Sequence, residues 1–162
     1  MTTRQHTVNQ KNRPPARSPA GDAFSALAFR VLRLGGLLTA AGDTLARPAG
    51  QTSARWQVLA AVEHGPATVA DIARALGLAR QSVQRVADLL AEEGLTAYDD
   101  NPDHLRAKLL RLAPKGLAAL RQIQTAQRAW ADELGAAIGA AALQRAAEVL
   151  DEVFAALAPR AG

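Results

Sequence analysis

The sequence contains no cysteine, so disulfides, cysteine-based zinc sites and thiol redox sensing are all excluded. Its three histidines, His6, His64 and His104, lie far apart and lack ligand spacing, so no metal site is expected. The Asp99, Asp100 and Asp103 cluster lacks the alternating ligands and closing glutamate of a hard-cation loop. There is also no glycine-rich phosphate loop and no nucleophile elbow, and the expectation is a protein that is not an enzyme and carries no cofactor. Apolar runs are broken by charge short of the ~20 residues a bilayer needs, so no membrane span is predicted. No apolar core follows the basic N-terminus, and Pro14, Pro15 and Pro19 spoil an amphipathic transit helix. A soluble cytoplasmic protein is the default expectation.

Charge is the next scarcity once it is located. The net +4 comes entirely from residues 1–21, where Arg4, Lys11, Arg13 and Arg17 stand without an acid. The remainder holds 15 basic and 15 acidic residues and is neutral. Residues 1–21 are polar and proline-containing, and read as a disordered basic tail. Such a tail can add sequence-independent phosphate contact, or be solvated without a role.

Beyond Gly21 the pattern turns helical. Phe24, Leu27, Val31, Leu34 and Leu38 recur at steps of three and four, an apolar stripe on a helix within residues 22–50. Gly35-Gly36 weakens it locally, and Arg47-Pro48-Ala49-Gly50 breaks it. Thr52 or Ser53 can cap a second helix carrying Trp56, Leu59 and Val62 and ending at Gly65-Pro66. Thr68-Val69-Ala70-Asp71 has the form of a capping box, opening a short helix that stops at Gly77. Another helix spans residues 80–93. Two strand-like runs come next, Leu95–Tyr98 and Ala107–Leu112, joined through Asn101-Pro102. Pro114 can open a long alanine-rich helix, which Gly139 divides from a last one ending near residue 158. The fold class is mainly α with a small β-hairpin, and residues 51–113 form the central domain between helical flanks.

The segment "VADIARALGLARQSVQRVADLL" carries the function. Two short helices joined tightly need a small contact residue, here Ala73, and a left-handed turn, here Gly77. Ile72, Leu76, Leu78, Val83 and Val86 are expected to fill the shared core. Together these positions form the pattern of a DNA-binding helix-turn-helix rather than a structural αα-hairpin. If Val83, Val86, Ala87 and Leu90 face inward, 100° per residue turns Gln81, Gln84, Arg85 and Asp88 outward, with Arg80 and Ser82 beside them. Arginine can take guanine with two bonds, glutamine adenine, and serine a base edge or phosphate. Asp88 is expected outside the contact zone or orienting Arg85.

A helix-turn-helix followed by a hairpin is a winged helix, and the chain resembles the multiple-antibiotic-resistance regulator (MarR) family. The resemblance is carried by Thr52 to Leu59, Thr68 to Leu90, Glu92-Glu93-Gly94-Leu95, Asn101 to Lys108 and Arg111 to Gly116. It implies a homodimer, held by the first helix (22–50) and the last ones (114–158), on a pseudo-palindromic operator of double-stranded DNA. It places Arg80, Gln81, Ser82, Gln84 and Arg85 at the major groove. The wing, 99–107, goes to the minor groove, with Arg106 entering it and His104 and Lys108 alongside. The sequence departs from that pattern at Leu105, where many relatives carry a second arginine, and at Ala79, which cannot cap the recognition helix. Glu93 and Tyr98-Asp99-Asp100 also put acid where relatives often have arginine. The resemblance further implies a repressor released by a small aromatic or anionic effector, for which Arg55 and Trp56 are candidate ligand-binding residues. The competing reading is a helical dimer that acts through protein partners with a weakened DNA-binding head.

Overall fold

The computed structural model describes residues 17–102 and 106–158. Contacts divide the chain into two units, one ending at Leu38 and the other beginning at Thr39. Helix α1, Pro19–Ala46, contributes to both. It begins inside the segment expected to be tail, because the Ser18 hydroxyl accepts from the Gly21 amide (3.1 Å) and Pro19 has no amide to satisfy. The rest of that tail, residues 1–16, lies outside the described residues. Gly35-Gly36 does not interrupt α1. In the first unit the expected stripe is open: Phe24, Val31, Leu34 and Leu38 are exposed, as are Phe29 and Leu32, at 69% and 77%.

The expectation that nothing is apolar enough to span a bilayer needs correction. Pro19–Ala49 is long and apolar enough by length and composition, because residues 23–42 hold only Arg30 and Arg33 as charges. Those arginines would sit near mid-span, where each costs roughly 2.5–3.5 kcal/mol.

In the second unit the elements run α2 (Ser53–Ala61), β1 (Ala67–Thr68), α3 (Val69–Leu76), α4 (Arg80–Glu92), β2 (Thr96–Asp99), β3 (Leu109–Leu112), α5 (Pro114–Ile138) and α6 (Ala140–Leu157). Thr52 caps α2, accepting from the Arg55 amide, and α2 ends at Ala61, short of the expected Gly65-Pro66. Gly42 lies against Ser53, whose amide donates to Asp43 Oδ1 (2.7 Å); a Cβ on Gly42 would stand 2.7 Å from Ser53 Oγ.

The core draws Val58, Leu59 and Val62 from α2 and its end, Ile72 and Ala73 from α3, and Val83, Ala87 and Leu90 from α4. Leu95, Leu110 and Leu120 close it from the sheet side and α5. Each such leucine, valine or isoleucine contributes about 1.5–3 kcal/mol on leaving water. The sheet order is β1-β3-β2, all antiparallel, with Ala67 opposite Leu110, Tyr98 opposite Leu110 and Thr96 opposite Leu112. β1 is too short for alternation to reveal in sequence. β3 starts at Leu109 rather than Ala107, and Leu95 precedes β2, bonding back to the Leu90 carbonyl (2.9 Å).

The α3 cap forms as half of a capping box. Thr68 Oγ1 accepts from the Asp71 amide (3.2 Å) and donates to the Asp71 carboxylate (2.6 Å), which also takes Arg74 (2.8 Å). The Thr68 hydroxyl first, then Arg74, hold the Asp71 carboxyl below its ordinary value. Thr68→Ala should lower stability by about 1 kcal/mol in urea unfolding, with m unchanged.

Gly77 adopts φ 64°, ψ 29°, and the Leu78 amide returns to the Ala73 carbonyl (2.9 Å), a glycine-terminated helix end. Leu78 itself is 45% exposed and not part of the core expected for it. It comes after the left-handed reversal, which bends its backbone toward Ala73 and leaves its side chain largely in solvent.

Candidate nucleic-acid interface

α4 presents the face that the helical period implies. Val83, Ala87 and Leu90 are buried and Val86 packs on the core, while Arg80, Gln81, Ser82 and Arg85 are exposed. The start of α4 has no side-chain cap at Ala79, leaving its first amides open at the end where Arg80 and Ser82 stand. Across from α4, the wing loop brings Arg106 and Lys108 to a groove of about 330 Å³ shared with Arg80, Gln84 and Tyr98. On the other side of Gln84 a shallower concavity of about 380 Å³ is lined by Gln81, Arg85 and Asp88. Arg80, Arg85, Arg106 and Lys108 have no hydrogen-bond or ion-pair partner among the described residues. Arg80, Arg106 and Lys108 line the first groove and Arg85 the second, and cations without a partner among the described residues on both sides of Gln84 give this face the chemistry of a polyanion site. His104, the remaining wing candidate, lies outside the described residues.

Asp88 departs from the sequence expectation. Asp88 neither stands outside the surface nor orients Arg85. Its Oδ1 accepts from Gln84 Nε2 (2.8 Å) and from the Tyr98 hydroxyl (2.8 Å), and Gln84 Nε2 also reaches Tyr98 Oη (3.0 Å). The cause is the four-residue spacing of Gln84 and Asp88, which stacks them on one helix face, beneath which β2 passes. Partial burial, then Asp88, push the Tyr98 hydroxyl up to about 12, so it stays protonated. Sequence reasoning misses Tyr98 as a site residue. The available signal is the two-residue period of β2, which puts it on the same face as buried Thr96.

The acids expected to weaken the surface are partly neutralised by neighbours. Arg111 Nε binds Asp99 Oδ2 (2.7 Å), diagonally across β2 and β3. Glu93 is bound by Arg55, and the Lys115 ammonium donates to its backbone carbonyl (2.9 Å). Arg55 first, through its hydrogen bond, holds the Glu93 carboxyl below its ordinary 4.5. The folded chain thus binds fewer protons here than the unfolded one. The pair's contribution is present above about pH 4.5 and fades as pH falls through the lowered value. The stability difference between the wild type and Glu93→Gln should therefore shrink on acidification; a constant difference down to strongly acidic pH would count against the pair.

Arg55 and Trp56 are not gathered into this surface. Trp56 is half-buried against the core, and Arg55 points to Glu93, with its Nε buried and unpartnered among the described residues.

This architecture, a helix-turn-helix whose second helix lies beside a small antiparallel wing, is that of a winged-helix DNA-binding protein. The model of the MarR family matches residues 49–107. Over 136 residues the chain is 38% identical to an uncharacterized protein of Mycobacterium tuberculosis and to one of Mycobacterium bovis, covering 84% of this chain and 95% of each relative. Among solved structures, it is similar to a MarR family transcription regulator, at 24% identity, TM-score 0.74, and 86% and 95% coverage of this chain and that one. It is likewise similar to the M. tuberculosis transcriptional regulator MosR in complex with DNA, at 24% identity, TM-score 0.67 and 81% and 97% coverage. CouR from Rhodococcus jostii, bound to p-coumaroyl-CoA, aligns at 19% identity, TM-score 0.70 and 84% and 95% coverage. The chain belongs to the MarR family, a family of transcription regulators and not of enzymes.

Proposed function

We propose that this DNA-binding regulator acts as a homodimeric, sequence-specific cytoplasmic repressor released by a small aromatic or anionic effector. α4 lies in the major groove, with Arg80, Gln81, Ser82, Gln84 and Arg85 toward the bases or flanking phosphates. The wing, with Arg106, Lys108 and His104, lies at the minor groove. The observation that carries this reading is that Arg80 of α4 and Arg106 and Lys108 of the wing, none with a partner among the described residues, border one groove. The solved complex of MosR with DNA, on the same fold, supports it.

Dimerisation rests on apolar surface that needs cover. α1 exposes Phe29 and Leu32, and α6 separately exposes Phe154 and Leu157 at 65% and 66%. A second copy is the commonest way to cover such faces. Two α4 helices then meet half-sites about one turn apart, roughly 34–36 Å. The effector reading draws on the ligand-bound CouR structure and on the unpartnered Nε of Arg55, a donor that an anionic ligand would satisfy.

Arg106→Ala should weaken binding and lower the slope of log K against log salt by about one, since one phosphate contact is lost. Titrations at several salt concentrations check it, and an unchanged slope removes Arg106 from the contact. The alternative of a helical dimer acting through protein partners draws on the acidic head. Pairing of Glu93 with Arg55 and of Asp99 with Arg111 weighs against it.

A further inference from the structure

We infer that Asp88 and Tyr98 lock the Gln84 amide so that it offers DNA only its carbonyl oxygen, making one position of each half-site select adenine or cytosine on the strand α4 reads. This rests on the proposed seat of α4 in the major groove.

The lock arises from donor and acceptor counts. Gln84 Nε2 carries two hydrogens and has two neighbours, Asp88 Oδ1 at 2.8 Å and Tyr98 Oη at 3.0 Å. A carboxylate only accepts, so the amide edge facing Asp88 is its nitrogen; turning it would set two oxygens against each other. The single phenolic proton of Tyr98 goes to Asp88, also at 2.8 Å, so toward Gln84 the phenol oxygen accepts. One hydrogen bent toward each acceptor would engage both. Gln84 Oε1 has no partner among the described residues.

An unrestrained glutamine reads adenine twice, accepting from N6 and donating to N7. Here the second bond has no donor. What remains is acceptance from an exocyclic amino group, adenine N6 or cytosine N4. Guanine O6 and thymine O4 would face the carbonyl acceptor to acceptor, and those bases are rejected. Asp88 and Tyr98 thus act as positioning residues for base choice and touch no base themselves.

Selection of bound duplexes from a randomised DNA library tests this, using full-length wild type, Gln84→Ala, Arg85→Ala and the Asp88→Ala/Tyr98→Phe double variant. The position whose preference vanishes in Gln84→Ala marks the contact. Wild type should hold adenine or cytosine there by about tenfold or more. The double variant should admit guanine there to within a few-fold, because a freed amide can turn and donate. Where the base is adenine, 7-deazaadenine should bind as adenine does, and purine, lacking the amino group, about tenfold less.

Guanine or thymine at that position in wild type overturns the inference, as does a loss of binding with 7-deazaadenine. An unchanged preference in a folded double variant, or no position sensitive to Gln84→Ala, overturns it too. If the double variant is unfolded by circular dichroism, the Gln84→Ala comparison and the base analogues decide. In each of these cases loss of selection in Arg85→Ala leaves the DNA-binding reading standing. No enriched sequence for wild type removes that reading, and the inference with it.

Discussion

Arg85→Ala should weaken operator binding by about 5- to 150-fold and relax base preference at one position of each half-site. Arg85 is exposed on the outer face of α4 and has no partner among the described residues, so its guanidinium is free to take guanine O6 and N7 together. A bidentate pair of that kind discriminates by about 1–3 kcal/mol. The side chain packs in no core, so the same substitution should change unfolding free energy by less than about 0.5 kcal/mol. Binding titrations together with urea unfolding separate the two effects. Unchanged affinity with an unchanged fold would take Arg85 out of the interface.

Gly116→Ala should destabilise the chain by about 2–4 kcal/mol, the largest effect expected of any single methyl group. Gly116 lies in the first turns of α5 at an ordinary helical conformation, where alanine would normally gain about 1 kcal/mol over glycine. Contact reverses that sign. An added Cβ would fall inside the envelope of the Leu95 carbonyl oxygen and stand 2.9 Å from Leu112 Cδ1. Neither can yield easily: the Leu95 carbonyl accepts from the Ala113 amide (3.0 Å), and Leu112 stands opposite Thr96 in the sheet. α5 must therefore back away from the wing, opening the junction between β2, β3 and the helix. Urea unfolding at fixed protein concentration measures this, concentration being held because the proposed dimer would link association to folding. A loss below about 0.5 kcal/mol would mean that the junction is looser than these contacts imply.

The helix-turn-helix is legible because its determinants are local. Thr68 and Asp71 mark the start of α3, Gly77 its end, and the 3.6-residue period assigns the faces of α4. Pro114 and Gly139 bound α5 for the same reason. What escapes the sequence depends on contacts between distant elements. Tyr98 meets Gln84 and Asp88 across a helix and a strand, and Arg55 meets Glu93 from 38 residues away. Nothing local distinguishes Gly116, which leaves room for a carbonyl, from Gly35 and Gly36, where an added Cβ meets nothing within 4 Å. Leu78 reads as core because it is apolar, although the turn before it sends it outward. The acidic residues read as a deficit because their partners, Arg55 and Arg111, come from elsewhere in the fold.

If α4 and the wing grip duplex DNA as a pair of heads, a gel-shift titration of the DNA upstream of the chain's own gene, at low and raised salt, should reveal it directly. The expected result is a shifted band with two chains per duplex, weakening as salt rises and needing about 5- to 150-fold more protein in Arg85→Ala. No shifted band at low salt would contradict the paired grip and favour action through a protein partner.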